Sequence, residues 1–223
     1  MTSVVSGYFG SAISGVYDAP LPGNSFFFCN NVAMTDIVKE KGWDFILCDF
    51  PCSEDPRISA LQAKYVKFLQ FNPPPSGEIV YADHKLNLTA SHLSQLSASC
   101  TRDLLVRTHP RENRTLQDEI MAASKQPRYA ERMKETVDWL NTQIQAGGIK
   151  NLQRIDSTGL IYYKQPTAVK SLCDDMYSHC WRLGQPECQI IWAIESQNYD
   201  AHICRIDWND IDILWEEPPR PVW

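Results

Sequence analysis

The chain has 223 residues, 43% of them hydrophobic and 22% charged, and a formal net charge of −6. That length fits one domain able to bury well over half of its unfolded surface, so no metal or disulfide is needed to hold a core. Acidity without a Lys/Arg run excludes an electrostatic footprint for nucleic acid or a polybasic membrane patch, and no stretch approaches the ~20 apolar residues of a membrane span.

Residues 1–10 carry no basic region and no apolar run of signal-peptide length, which predicts a cytoplasmic protein and makes the sequons at Asn87 and Asn113 chance matches. The eight cysteines are scattered without a C-x-x-C pair, the pattern of free thiols in a reducing compartment rather than of a zinc site.

In chain order, residues 3–9 (SVVSGYF) read as a strand entering a loop over 10–23, and 25–29 (SFFFC) as a short apolar strand. A short helix ends over 36–41 before Gly42, and 43–48 (WDFILC) is the next buried strand. Leu61, Tyr65, Phe68 and Leu69 at helical spacing predict a helix over 56–71, closed by Pro73, Pro74 and Pro75. Strands follow over 78–82 (EIVYA), ending on Asp83, and over 104–108 (LLVRT). Helices over 115–125 and 128–145 are divided by Pro127; then come a strand over 159–164, helices over 168–183 and near 188–195, and a last strand over 201–206. Short apolar runs separated by helices predict a parallel sheet covered on both faces. The Pro-rich residues 216–223 read as an unpacked tail, either a chain end or a linker to further domains of a longer polypeptide.

Ligands of parallel α/β sheets bind beyond the carboxyl ends of the strands. Asp83 stands there as a hard oxygen ligand for Mg²⁺ or Mn²⁺ on a diphosphate, or as a cap at the turn into a helix near Thr89. Lys64 and Lys67, three apart, share a helix face and either grip phosphates or are solvated. Arg111 and His109 follow a strand and suit a leaving diphosphate, with Glu119 holding one of them, or are ordinary loop surface. Asp156, Glu187 and Gln189 are turn and cap formers, or groups for catalysis and for sugar hydroxyls. His202, in the last strand, is a core histidine or a metal ligand.

The order of these pieces resembles the GT-A glycosyltransferases. Residues 4–10 (VVSGYFG) with Tyr17-Asp18 are similar to the family's opening strand, and 26–30 (FFFCN) to its second. Lys64-Tyr65-Val66-Lys67 resembles the basic helix before the metal strand, and Tyr81-Ala82-Asp83 a reduced D-x-D motif. His109-Pro110-Arg111 with Glu119 resembles its H-x-R segment and trailing acid, 159–163 (GLIYY) its late strand, and 185–189 its amide-bearing helix start. Within that family the chain looks most like the N-terminal domain of the chlorella-virus glycosyltransferases that build capsid-protein glycans.

The resemblance implies a single GT-A domain over 1–215, Rossmann-like, with a mixed, mainly parallel sheet flanked by helices. It implies a UDP-sugar donor, a glycan acceptor, Mn²⁺ or Mg²⁺, and rhamnosyl transfer to a viral capsid glycan in the host cytoplasm. The cation would be held by Asp83, with His202 or water completing its shell. The nucleotide would lie near Tyr8, Phe9, Gly10 and Asp18, with Lys64, Lys67 and Gln189 as further contacts. Arg111 and His109 would meet the leaving diphosphate, and Asp156 and Glu187 are candidates for the base. Two positions depart from the pattern: Tyr81 replaces the first Asp of D-x-D, and Cys188 stands where an acid is often found. The alternatives are a nucleotidyltransferase, disfavoured because the loop over 10–23 contains no Lys or Arg, and a non-catalytic sugar-nucleotide-binding domain.

Overall fold

The computed structural model describes residues 1–72, 77–111, 113–147, 149–216 and 218. Among these residues seven strands pair into one sheet: β1 (Thr2–Tyr8), β2 (Ser25–Cys29), β3 (Asp44–Leu47), β4 (Glu78–Ala82), β5 (Leu104–Thr108), β6 (Asp156–Tyr163) and β7 (Ile203–Ile206), in the order β3-β2-β1-β4-β6-β5-β7. Every neighbouring pair is parallel except those made by β6, which runs antiparallel to both β4 and β5. The sheet is therefore mixed and mainly parallel, as the resemblance implied, rather than wholly parallel as the apolar runs alone suggested.

The helices are α1 (Thr35–Glu40), α2 (Pro56–Gln62), α3 (Lys64–Lys67), α4 (Ala90–Ser99), α5 (Leu116–Ala123), α6 (Pro127–Ala130), α7 (Met133–Gln145), α8 (Lys170–Leu183) and α9 (Cys188–Glu195). Successive strand residues point to opposite faces, so the apolar runs feed two cores. Val5, Ile79, Tyr81, Leu104, Val106, Ile161 and Tyr163 join α3, α8 and α9 on one face, while Val4, Val80, Leu105, Leu160 and Tyr162 join α1 and α4 on the other. Burial on both faces is why these strands read as continuous apolar runs.

Several boundaries differ from expectation. The helix expected over 56–71 breaks at Ala63 into α2 and α3. Residues 43–48 form an edge strand rather than a buried one: β3 pairs only with β2, and its Leu47 is 59% exposed. α4 fills the stretch after Thr89, whose hydroxyl accepts from the His92 N–H. β6 starts at Asp156, earlier than expected, and β7 begins only at Ile203, leaving His202 in the preceding 3₁₀ turn. The prolines at 73–75 and most of the expected tail, 217 and 219–223, lie outside the described residues. Before them the chain is packed: Ile211 and Ile213 are buried, and Glu216 N–H bonds Lys85 C=O at 3.1 Å. None of the eight cysteines is in a disulfide, and no described helix is long and apolar enough to cross a membrane.

Candidate active site

A cleft of about 590 Å³ opens at the carboxyl ends of β1 and β4, within the range of small-molecule sites. The reversal of β6 carries its amino end to the same edge, so Thr158 and Gly159 join the wall beside Asp83. A register shift between Val106 and Arg107 on the β5–β6 ladder re-aims this part of β6. Tyr8, Phe9 and Gly10 form the floor where β1 ends. Gly10 has φ +125°, and a Cβ there would meet Ser59 Oγ at 2.9 Å, so the turn needs glycine. Asn30 ties this corner together, accepting from Gly10 N–H at 3.0 Å and donating to Pro51 C=O and Gln62 Oε1.

Asp83, Tyr81, Lys67 and Lys64 form the centre. Both lysines of α3, 7% and 5% exposed, lie under the sheet rather than in solvent, α3 packing against β1 and β4. Lys67 Nζ stands 3.4 Å from Asp83 Oδ1, 3.8 Å from Cys188 Sγ and 5.2 Å from the centre of the Tyr81 ring. The Tyr81 hydroxyl donates to the same Asp83 oxygen. Burial and the Asp83 charge hold Tyr81 well above its ordinary pKa, so it stays a donor. Burial works against ionisation of Asp83, but Lys67, the Tyr81 hydroxyl and Lys64 outweigh it, and the carboxyl lies below its usual range. Among the described residues no carboxylate pairs directly with Lys64. Burial disfavours its charge, yet nearby Cys188, Cys180, Asp83 and Glu187 raise its pKa above the ordinary value.

Among the described residues the lining carries four cations, Lys64, Lys67, Lys85 and Arg128, against three carboxylates, Glu54, Asp83 and Glu187. Glu187 is itself raised above the usual glutamate range, by burial first and by Glu119, against Lys64. On a chain of net charge −6, this concentrates positive charge where an anion would be held.

A divalent cation requires several oxygen ligands at about 2.0–2.6 Å. Among the described residues no three His, Cys, Asp or Glu side chains come together to hold one. Asp83 Oδ1 already receives the Tyr81 hydroxyl and faces the Lys67 ammonium. With that oxygen engaged and a phenol, Tyr81, in place of a second acid, the residues present do not fit the expected Mn²⁺ or Mg²⁺.

The expected site residues divide into two groups. Tyr8, Phe9, Gly10, Lys64, Lys67, Asp83, Glu187 and Gln189 are brought together around the cleft. His202 is not: it precedes β7, pairs with Asp103 at 2.6 Å, and lies at the amino ends of β5 and β7, on the edge of the sheet opposite Asp83. Asp18 is an exposed partner of Lys41 at 3.1 Å and does not line the cleft. Asp156 is 2% exposed and does not line the cleft; its oxygens accept from Trp192 Nε1 at 3.0 Å and Arg205 Nε at 2.9 and 3.1 Å. His109 and Arg111 follow β5 at the correct edge but do not line the cleft. The His109 ring accepts from Arg111 N–H and stands 3.9 Å from Glu119, which Arg114 binds at 2.6 Å. Burial lowers the His109 pKa, with Glu119 opposing. Among the described residues this group meets the cleft through Gln189, whose amide donates to Glu119 at 3.4 Å.

Arg128, Tyr129, Thr158 and Trp215 line the cleft without having been singled out from the sequence. Trp215 arrives on the segment after β7, which pairs with the loop after β4 through Leu86 and bonds Asn87 N–H from Leu214 C=O. Nothing local marks it; an aromatic next to a proline-rich end is the only signal.

No protein-family model and no curated protein matches the sequence. Solved structures are similar at low identity. Mouse xyloside xylosyltransferase 1 in its apo form is 9% identical with a TM-score of 0.47, over 93% of this chain and 86% of that one. The 4-diphosphocytidyl-2C-methyl-D-erythritol synthase of Anaerococcus prevotii is 8% identical with a TM-score of 0.46, over 97% and 91%. A CMP:2-keto-3-deoxy-manno-octonic acid synthetase complexed with CTP is 8% identical with a TM-score of 0.43, over 92% and 89%. The chemistry of this site rests on its own geometry.

Proposed function

We propose that the chain is a glycosyltransferase that moves a sugar from a nucleoside-diphosphate donor, a UDP-sugar, to a hydroxyl of a glycan acceptor. The observation that carries this reading is the pair of buried lysines beside Asp83, at the carboxyl edge of the sheet, in a cleft of about 590 Å³ with aromatic walls. Such a site binds a ligand that is anionic at its centre and flat or ring-shaped at its ends. The sequence resemblance to capsid-glycan glycosyltransferases supports rhamnose as the first sugar to try and a viral capsid glycan as the first acceptor.

In the transfer, the bond from the sugar's anomeric carbon to the diphosphate oxygen breaks and the electron pair leaves with the diphosphate. The acceptor oxygen bonds that carbon, and its proton passes to a base. Glu187 lines the cleft, and its raised pKa brings it closer to the working range of a general base. The test is incubation with a panel of UDP-sugars, UDP-rhamnose among them, following UDP release and the glycosylated product. Release of pyrophosphate from CTP, with no UDP from any sugar nucleotide, would point instead to nucleotidyl transfer.

A further inference from the structure

We infer that the charge of the leaving diphosphate is met by the Lys67 and Lys64 ammonium groups instead of a divalent cation, so that this site turns over without metal. The inference rests on the glycosyl-transfer reading and specifies how that site works.

Three observations carry it. First, the position two residues before Asp83, where a second carboxylate would complete a metal-binding pair, is a phenol that donates to Asp83. A donor at that point faces the wrong way for metal ligation, since a cation needs a lone pair aimed at it. Second, the space next to Asp83 Oδ1 already holds a fixed cation, Lys67, at 3.4 Å. A divalent ion on the same oxygen would sit within a few ångströms of that ammonium, and their repulsion would be strong in a partly dehydrated cleft. Third, the positive charge exceeds what Asp83 neutralises. Lys64 has no carboxylate paired directly with it among the described residues, and both lysines are almost completely buried. The groups surrounding Lys64 favour its charge at a distance while no described carboxylate takes its N–H donors, which leaves those donors for a ligand's anionic oxygens.

The groups divide the work accordingly. Asp83 and the Tyr81 ring orient Lys67, and the two lysines present N–H donors to the β-phosphate. They are preorganised because α3 is wedged beneath the sheet, so little reorganisation accompanies charge development. As the anomeric C–O bond breaks, its electron pair settles on the β-phosphate oxygen, and Lys64 and Lys67 stabilise that charge by hydrogen bonding. They transfer no proton; the acceptor's proton goes to the base as before.

The experiment compares turnover of the active UDP-sugar, and calorimetric binding of UDP, in excess EDTA and in Mn²⁺ or Mg²⁺. The expected result is UDP binding in EDTA and rates agreeing within about twofold across the three conditions. Lys64→Met, which breaks no direct ion pair, is expected to lower kcat roughly 100-fold in EDTA while the thermal midpoint holds. Lys67→Met is expected to do at least as much, and UDP affinity should fall in both variants. Loss of turnover in EDTA with recovery in Mn²⁺ or Mg²⁺ would overturn the inference and leave the glycosyltransferase reading standing. So would full activity in Lys64→Met and Lys67→Met. If no sugar nucleotide binds or turns over in any of the three conditions, the functional reading falls and the inference falls with it.

Discussion

The indole of Trp215 occupies the space that a side chain on Gly159 would need. A Cβ at Gly159 would lie 2.4 Å from Cζ3 and 2.8 Å from Cη2 of that ring, and 3.1 Å from Asp83 Oδ2. Trp215 is 45% exposed, so it is free to swing away when crowded. Gly159→Ala should therefore fold and displace the ring, and Trp215→Ala should remove it. Both are expected to weaken UDP-sugar binding by about tenfold, roughly 1.4 kcal/mol, with little change in the thermal midpoint. Calorimetry on the two variants checks this; unchanged affinity in both would remove Trp215 from the binding surface.

Asp156 is tied on both oxygens inside the protein, so its substitution should register in stability rather than in chemistry. Asp156→Ala leaves Trp192 Nε1 without its acceptor and Arg205 with Asp200 as its remaining partner. Removing one member of a buried pair costs about 3–5 kcal/mol, and urea unfolding should show a loss of that order. Turnover per folded molecule should stay within about twofold of wild type. A stable variant without turnover would return Asp156 to the reaction.

His202 and Asp103 form a pair whose side chains are 44% and 24% exposed, far from the cleft. Exposed pairs of this kind contribute about 0–1 kcal/mol. His202→Ala should lower the midpoint by no more than a few degrees and leave turnover and UDP binding unaltered. A collapse of turnover in this variant would contradict the placement of the site on the opposite edge of the sheet.

Glu187 supplies a pH signature. Its carboxyl is raised chiefly by burial, so the folded protein holds that proton more tightly than the unfolded chain does. The stabilisation this gives is fully present below the ordinary glutamate value of 4.5 and is lost as the pH climbs through the raised folded value. Wild type should thus lose ground to Glu187→Gln as pH rises from ~4 to ~8, measured as the difference in thermal midpoints. The same variant should lower kcat by roughly 100-fold if the carboxylate takes the acceptor's proton. A midpoint difference independent of pH would contradict the burial of this group.

What could be read from the sequence was local. The strands announce themselves as apolar runs, Asp83 as the residue after one of them, and Lys64 and Lys67 as neighbours on one turn, because each signal lies within a few residues. What failed depended on distant partners. Asp156 read as a turn former or a catalytic group because Trp192 and Arg205, which hold its oxygens, come much later in the chain. His202 was misplaced because the strand begins one residue after it, and the amino end of a parallel strand lies away from the ligand edge. The expected 56–71 helix divides at Ala63, and α3 packs against β1 and β4, strands that its own residues do not announce. The wall made by Trp215 depends on a return of the chain that no local pattern encodes.

The position of β6 between β4 and β5 shapes how the protein must emerge from the ribosome. A nascent chain that has reached Thr108 holds β4 and β5 with no strand between them, and their shared partner is not made until residues 156–163. Throughout synthesis of α5, α6 and α7 those open strand edges are available for wrong pairings, the situation chaperones guard against. The bond from Asp83 N–H to Gly159 C=O, 2.8 Å long, forms only when the late strand slots in. Any product cut short before that insertion lacks Thr158, Gly159, Glu187 and Trp215 from its ligand-holding wall and exposes a sticky seam in their place.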